Sequence, residues 1–191
     1  GVMAALSFAA YLFFRVPFYG GSSFHLGNTF TALAALLMDG VSGGLAGAIG
    51  LALADILAGD PGYAITTFVL KFIIGVVCGL TAHRLCRIYT ADPARRLPYV
   101  LRVTVSAGSG LLVNVITDPL LGYFRNVYIF GQDYSVAQAL AGVAGGVTLV
   151  NSLVSTACAV LLYLAVRPAL DRAGLLPRHT PKGGLHQAKK A

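Results

Sequence analysis

The chain has 191 residues, enough for a single domain, and 57% of them are hydrophobic while only 11% are charged. A typical soluble protein carries about 25% charged residues, so this deficit and the mean hydropathy of +0.76 exclude an ordinary soluble domain. The net charge of +7 is distributed between and after apolar stretches, which argues against a basic face for nucleic acid and is typical of membrane proteins.

Six apolar segments follow one another along the chain. A bilayer requires about 20 apolar residues per helix, so we expect an all-α integral membrane protein with a bundle of six transmembrane helices. Residues 1–168 form the transmembrane domain in this interpretation, and residues 169–191 form a basic tail that we expect to be disordered. The segments are 2–14, 24–38, 41–58, 63–82, 99–124 and 136–167.

The first segment and the loop after it each allow two interpretations. Ala5 and Ala9 lie one turn apart on one helix face, which indicates either packing inside the bundle or a flat face for a partner helix. In the loop, Phe18 and Tyr19 are either interfacial aromatic residues or a cap over a ligand.

The third and fourth segments place small and charged residues inside the membrane. Gly43 and Gly47 form a G-x-x-x-G pair that indicates tight helix packing rather than a phosphate loop. Lys71 lies about 12 Å below the membrane edge at 1.5 Å per residue, where its ammonium group needs a partner or water. Asp55 on the preceding helix has a similar depth. The two side chains therefore form either a structural ion pair or part of a ligand site.

The fifth segment carries a polar face next to a proline. Asn114 and Asp118 are four residues apart on one face, and Pro119 predicts a kink or break of the helix at membrane depth. Broken helices are tolerated where they line a cavity, so this face predicts a ligand site, with hydrogen bonding between helices as the alternative. In the sixth segment, we expect an interfacial piece up to Gly145 to precede the span.

The basic residues are concentrated on one predicted side of the membrane. Eleven of the 14 lysines and arginines lie in 84–102 and 167–190, whereas Arg15 and Arg125 lie on the other side. The positive-inside rule places the basic side and both termini in the cytoplasm.

Several short motifs occur in a defined order between residues 25 and 85 and again between 122 and 151. The motifs are His25-Leu26-Gly27-Asn28, the glycines from Gly43 to Gly50, 53–59 (LADILAG), 66–71 (TTFVLK) with Gly75 and Gly79, Gly122-Tyr123-Phe124, and Asn151. With these motifs, nearly the whole chain resembles the substrate-binding S component of energy-coupling factor (ECF) vitamin transporters, in the riboflavin-type branch.

The resemblance implies a capture subunit for a water-soluble vitamin or precursor, in a bacterial or archaeal plasma membrane. Riboflavin is the first expectation, followed by hydroxymethylpyrimidine or pyridoxine. The implied partners are a transmembrane T subunit, which would contact the Ala5 and Ala9 face, and two ATPase subunits. The chain contains no G-x-x-x-x-G-K-[ST] motif, so we expect no cofactor in this chain and ATP use only by the partners.

Residue pattern and resemblance together predict a substrate site. Two departures from the family pattern lie near it: Asn28 stands where the family often has Asp, and Arg125 follows Gly-Tyr-Phe where an acidic residue is usual. The predicted substrate-binding residues are Asn114, Asp118, Asn151, Tyr123, Phe18, Tyr19, Lys71 and His25.

The alternatives are a small channel, an intramembrane enzyme and a metal-transport subunit. Ser109 between two glycines suggests a membrane serine protease, but His25 and His83 lie at segment ends rather than at membrane depth. The sequence also lacks the cluster of His and Asp ligands that a metal transporter needs, and its three cysteines have no metal-ligand spacing. We therefore predict that the protein is not an enzyme and has no metal site.

Overall fold

The computed structural model describes residues 1–18 and 22–175, and these residues form six α-helices and one very short β-hairpin. The first residues of the predicted tail, 169–172, continue the last helix instead of being disordered. The part of the tail from 176 onward lies outside the described residues. The helices are α1 Val2–Phe13, α2 Gly27–Leu37, α3 Gly40–Leu57, α4 Ala64–Leu80, α5 Arg96–Phe124 and α6 Tyr134–Arg172.

Four helical stretches are long and apolar enough to cross a membrane. They are Gly40–Leu57, Pro61–Leu85, Arg96–Ile129 and Tyr134–Arg172, the second and third including the short 3₁₀ and π turns that flank α4 and follow α5. The helices α1 and α2 are shorter. The structure thus confirms an all-α membrane protein, to which the first loop adds only the pairing of β1 (Val16–Pro17) with β2 (Ser23–Phe24).

The short helix α2 occupies the centre of the bundle. Ten of its 11 residues are buried, and it contacts each of the other five helices. A helix shielded from lipid by its neighbours need not match the thickness of the bilayer, which explains why 11 residues are sufficient here.

Glycines bring α3 close to both α2 and α4. A Cβ atom on Gly75 would lie 2.1 Å from the Cα of Gly44, so the two backbones touch where these glycines face each other. On the other side of α3, Gly43 packs on Ala35 and Gly47 packs on Thr31 of α2. The G-x-x-x-G pair is therefore a packing motif, as the sequence predicts.

The structure corrects two predictions about α5 and α6. Of the kink or break predicted at Pro119, the break is wrong because α5 runs through this residue, and α6 is one continuous helix of 39 residues with no separate interfacial piece before Gly145. Proline removes a single backbone donor, and neighbouring helices in a membrane bundle can keep such a turn in place. Two hydrogen bonds join α6 to α5 in the turns before Pro119, from Thr148 to the carboxylate of Asp118 and from Ser152 Oγ to the Leu111 carbonyl at 2.9 Å.

The bundle has two polar ends around an apolar middle. The cavity end comprises residues 14–18, 22–26, 58–63 and 125–133, and the basic end comprises 38–39, 81–95 and the last turns of α6. At the basic end, Tyr89 Oη donates to the carbonyls of Leu36 and Leu37 at 2.9 and 2.7 Å, which closes the end of α2. These hydrogen bonds attach the loop of the basic end to the central helix.

Arg167 is the buried cation of the basic end, with 9% of its surface exposed. Its Nη1 donates to the carbonyl of Ile88 at 3.1 Å and to Tyr99 Oη at 2.5 Å, and its Nε lies 3.7 Å from Asp171 Oδ2. The guanidinium group also lies beside three aromatic rings, those of Tyr89, Tyr99 and Tyr163. The protein therefore surrounds most of this charge with its own groups, while Nε has no hydrogen-bond partner among the described residues.

Candidate functional site: a polar cavity between the helices

A polar cavity lies at the cavity end, and residues from all six helices line it. Helix α1 contributes Tyr11, near its C-terminal end. Five of the predicted site residues line the cavity, namely His25, Lys71, Asn114, Asp118 and Asn151. The further lining residues include Tyr11, Ser22, Ser23, Asn28, Asp55, Asp60, Tyr63, Thr67, Arg125, Asn126 and Thr148. The structure thus brings together residues that are far apart in the chain, such as Tyr11 and Asn151.

Asp55 is held by a tyrosine rather than by a lysine. Tyr11 Oη donates to Asp55 Oδ1 at 2.6 Å, which connects α1 to α3. The second oxygen, Asp55 Oδ2, is buried and has no hydrogen-bond partner among the described residues. One acceptor atom of this carboxylate therefore remains for a bound molecule.

Lys71 is the buried cation of the cavity end, with 6% of its surface exposed. Within the described residues, no carboxylate lies within 4.0 Å of its ammonium group. The structure therefore does not contain the predicted ion pair between Lys71 and Asp55. Asp118 and Asp55 act on Lys71 only as charges at longer range. The hydrogen bonds to these two carboxylates come from Tyr11 and Thr148 instead.

Asn114 is the least satisfied side chain of the cavity. It is 1% exposed, and neither its Oδ1 nor its Nδ2 has a hydrogen-bond partner among the described residues. One turn further, Asp118 accepts a short hydrogen bond from Thr148. The two side chains share the cavity-facing side of α5, as their spacing predicts, but only Asn114 offers both a free donor and a free acceptor.

Asn151 lines the cavity, but its amide is already engaged. Its Oδ1 accepts from the backbone N–H of His25 at 3.1 Å, and its Nδ2 donates to the carbonyl of Ser23 at 2.8 Å. Asn151 therefore fastens the first loop to α6. His25 is also engaged, because its Nδ1 accepts from the Gly27 N–H at 3.2 Å and its ring packs on Tyr11 with centroids 4.7 Å apart.

Of the three aromatic residues predicted to cover the ligand, two do not line the cavity. Phe18 is half exposed beside β1 and Tyr123 is turned along α5 toward Phe124, and neither is among the described residues that line the cavity. Neighbouring helix positions point about 100° apart, so Gly122 faces the cavity while Tyr123 does not. Tyr19 lies outside the described residues.

Instead, a cluster formed by Tyr63, Arg125 and Phe130 closes one side of the cavity. The Arg125 guanidinium carbon lies 3.9 Å from the centroid of the Tyr63 ring, and the rings of Tyr63 and Phe130 are 5.6 Å apart. Sequence reasoning did not identify Tyr11, Tyr63 or Asn126. The only sequence signal for them is a polar or aromatic residue within one turn of a predicted outer segment end.

On the other side of the cavity, an ion pair connects two loops. Arg15 Nη2 lies 2.6 Å from Asp60 Oδ2, and the Arg15 guanidinium group also lies over the ring of Tyr11. The first loop is thus attached to the turn between α3 and α4 immediately beside Asp55. Three carboxylates of the cavity therefore each have a partner, whereas Lys71 has none of them at contact distance.

Fold and cavity define a multi-pass membrane protein that encloses a polar cavity among its helices. A family model described as "ECF-type riboflavin transporter, S component" matches residues 1–168, and the chain belongs to this family. No curated protein and no solved structure matches the chain.

The family gives the class of function. The chain is a membrane-embedded substrate-capture subunit of an ECF transporter, as the motifs of residues 25–85 and 122–151 predict. Members of this family are transporter subunits rather than enzymes, and the family implies a vitamin substrate with T and ATPase partner subunits. A channel or an intramembrane enzyme is not favoured.

Proposed function

We propose that the polar cavity is the vitamin site, and that Asn114, Lys71 and Asp118 bind the substrate directly. The observation that supports this most is the set of buried polar atoms that face the cavity without a partner in the described protein: both amide atoms of Asn114 and Asp55 Oδ2. Leaving such an atom unpaired costs about 1–3 kcal/mol, so a polar ligand that pairs with them gains affinity.

In this proposal, Asn28 is a further contact and Asn151 and His25 act mainly through the first loop. Asn28 Oδ1 is buried and has no hydrogen-bond partner in the described part of the chain, and the residue lines the cavity. The hydrogen bonds of Asn151 to Ser23 and His25 fix the position of the loop that would close over the ligand. Phe18, Tyr19 and Tyr123 stay predictions as a cover for the ligand ring.

The vitamin that we propose first is riboflavin, which the description of the family names, with hydroxymethylpyrimidine or pyridoxine next. All three are flat heterocycles with donors and acceptors close together, and the carboxamide of Asn114 presents one donor and one acceptor side by side. The rings of Tyr11 and Tyr63 at the cavity wall provide apolar faces for such a ring.

Mass spectrometry of small molecules that co-purify with the protein tests the substrate, followed by calorimetric titration with the molecule found. We expect one flat heterocyclic vitamin, and we expect Asn114→Ala to weaken its binding. Ser109→Ala is the matched control, because Ser109 lies on the same helix, does not line the cavity and bonds only to its own helix at Ser106. Equal affinity of wild type and Asn114→Ala would place the site elsewhere.

We also propose that all six helices cross the plasma membrane of a bacterium or archaeon, with both termini and the basic end in the cytoplasm. The alternation of the six helices between the two ends and the arginines of the basic end support this arrangement. In a variant without its three native cysteines, Asp133→Cys should react with a membrane-impermeant maleimide in intact cells. Asp92→Cys should react only after permeabilisation, and the reverse pattern would invert the topology.

We further propose that the exposed face of α1 docks the T subunit, which couples the chain to two ATPase subunits that use ATP. Ala5 is exposed and Ala9 half-buried, while Ser7, Ala10 and Tyr11 on the opposite face pack into the bundle. Ala5→Trp should abolish co-purification with the coupling subunits but keep vitamin binding. Ala157→Trp, at an exposed alanine of α6, is the matched control. Wild-type co-purification of Ala5→Trp would contradict the docking assignment.

A further inference from the structure

A second cavity lies at the basic end, between the first turns of α5 and the last turns of α6. Among the described residues, none lines both this cavity and the polar cavity at the cavity end. Apolar and charged side chains line it together, namely Pro93, Arg96, Tyr99, Val100, Leu164, Arg167, Pro168 and Asp171. The vitamin site proposed at the other end of the bundle does not explain why this cavity is present.

The cavity has an excess of positive charge. Arg96 and Arg167 both line it, against the single carboxylate of Asp171, which lies 3.7 Å from Arg167 Nε. Arg167 is fixed in place by the carbonyl of Ile88 and by Tyr99, whereas Arg96 is exposed. One cation is thus built into the wall, and a second is free to reach an anion.

The start of α5 adds a second attraction for an anion. The helix begins at Arg96, and its N-cap residue Arg95 provides no side-chain hydrogen bond to the first turn. The first backbone N–H groups of a helix have no intrahelical acceptors, and the helix dipole places partial positive charge there. Pro98 has no N–H and the Tyr99 N–H donates to the Arg95 carbonyl at 3.1 Å, so the N–H groups of Arg96 and Leu97 remain for a phosphate group beside the two arginines.

We propose that this cavity binds the phosphate headgroup of an anionic phospholipid. The apolar surroundings favour a lipid over a free phosphate, because Val100 and Leu164 line the cavity and Leu97 and Leu101 are exposed on the adjacent turns of α5. Acyl chains would lie along these side chains while the headgroup reaches Arg96 and Arg167. Basic pockets between transmembrane helices are known to hold such headgroups.

Native mass spectrometry of the full chain, released from bilayers of equal phosphatidylglycerol and phosphatidylcholine, tests the proposal. We expect the wild type to retain one phosphatidylglycerol molecule in preference to phosphatidylcholine. Arg96→Gln should lower this preference about fivefold, since one arginine near an anionic lipid surface contributes about a factor of this size. Arg96 is exposed and its side chain has no hydrogen bond or ion pair within residues 1–18 and 22–175, so the variant is expected to fold.

Arg84→Gln is the matched control, because Arg84 is an exposed arginine of the same basic end that lines neither cavity. Equal retention of phosphatidylglycerol by wild type and Arg96→Gln, or equal losses in the two variants, would overturn the site. A thermal-shift titration separates the two sources of phosphate. Phosphatidylglycerol should raise the melting temperature of the wild type, and inorganic phosphate at the same concentration should not. An equal shift with inorganic phosphate would overturn the assignment to a lipid.

Discussion

The two ends of the bundle each bury one cation, but the protein surrounds these two cations with very different numbers of its own polar and aromatic groups. Arg167 at the basic end has a backbone carbonyl, a tyrosine hydroxyl, a carboxylate and three aromatic rings around it. Lys71 at the cavity end faces a polar cavity and has no carboxylate within 4.0 Å in the described protein. The protein thus pairs most of the Arg167 side chain by itself and leaves only Nε without a hydrogen bond among the described residues, whereas the whole ammonium group of Lys71 is available to a ligand.

The largest effect should come from Arg167→Ala. Removing this side chain leaves Tyr99 Oη and the carbonyl of Ile88 without their donor and empties the space between the tyrosines. Each buried polar group left unpaired costs about 1–3 kcal/mol, and the emptied space adds a cavity cost, so the melting temperature should fall sharply. Differential scanning fluorimetry measures it. An unchanged melting temperature would mean that the basic end does not depend on its buried cation.

The next effect should be seen in Lys71→Ala, as lost binding rather than lost stability. Hydrogen bonds to charged groups contribute about 1.5–3 kcal/mol, so vitamin affinity should fall by roughly tenfold to a hundredfold in a calorimetric titration. The double variant Lys71→Ala with Asp55→Ala is the control for an ion pair. If it recovers stability that Lys71→Ala loses, the two side chains do interact and the contrast with Arg167 weakens.

Asn114→Ala should lower affinity by about tenfold while the melting temperature of the empty protein stays unchanged, because the amide has no partner to lose among the described residues. Asn151→Ala provides the contrast, since its amide holds the first loop and its loss should lower both affinity and stability. Fluorescence titration and thermal unfolding on both variants separate the two roles. Parallel effects in both variants would contradict the distinction.

The smallest effect should come from Asp39 at the basic end, which caps α3. Hydrogen bonds from Ser42 and Val41 hold the pKa of Asp39 below its usual range. The cap therefore stabilises the protein fully above the ordinary carboxyl pKa, and this contribution is lost as the pH falls through the lowered pKa. Asp39→Ala should cost about 1 kcal/mol at neutral pH in thermal unfolding.

Asp133→Ala is the matched control for this prediction, because Asp133 precedes α6 at the cavity end without a capping hydrogen bond from its side chain. Asp39→Asn should keep most of the cap while removing its dependence on pH, since asparagine is an equally good capping residue. A loss of stability in Asp133→Ala as large as that in Asp39→Ala would show that capping is not the cause.

The lengths of the apolar segments and the spacing of residues within them predicted most of the fold and part of the site. The six apolar segments lie within a few residues of the six helices, because segment length and glycine spacing are local properties of a chain in a bilayer. Asn114 and Asp118 were predicted on one face of α5 because residues four apart share a face. The unbroken path of α5 through Pro119 was not predictable, since it depends on how the neighbouring helix packs against that turn.

The sequence by itself determined the class of protein, the helices and the polar residues that a ligand site needs. Only the tertiary structure decided which of them remain unpaired. Tyr11 hydrogen-bonds to Asp55, where an ion pair with Lys71 was predicted. The amide of Asn151 hydrogen-bonds to the first loop. These pairings join residues 44 and 126 positions apart, so no local pattern encodes them. Hydrogen bonding depends on distance and direction in space, and only the packed bundle fixes both.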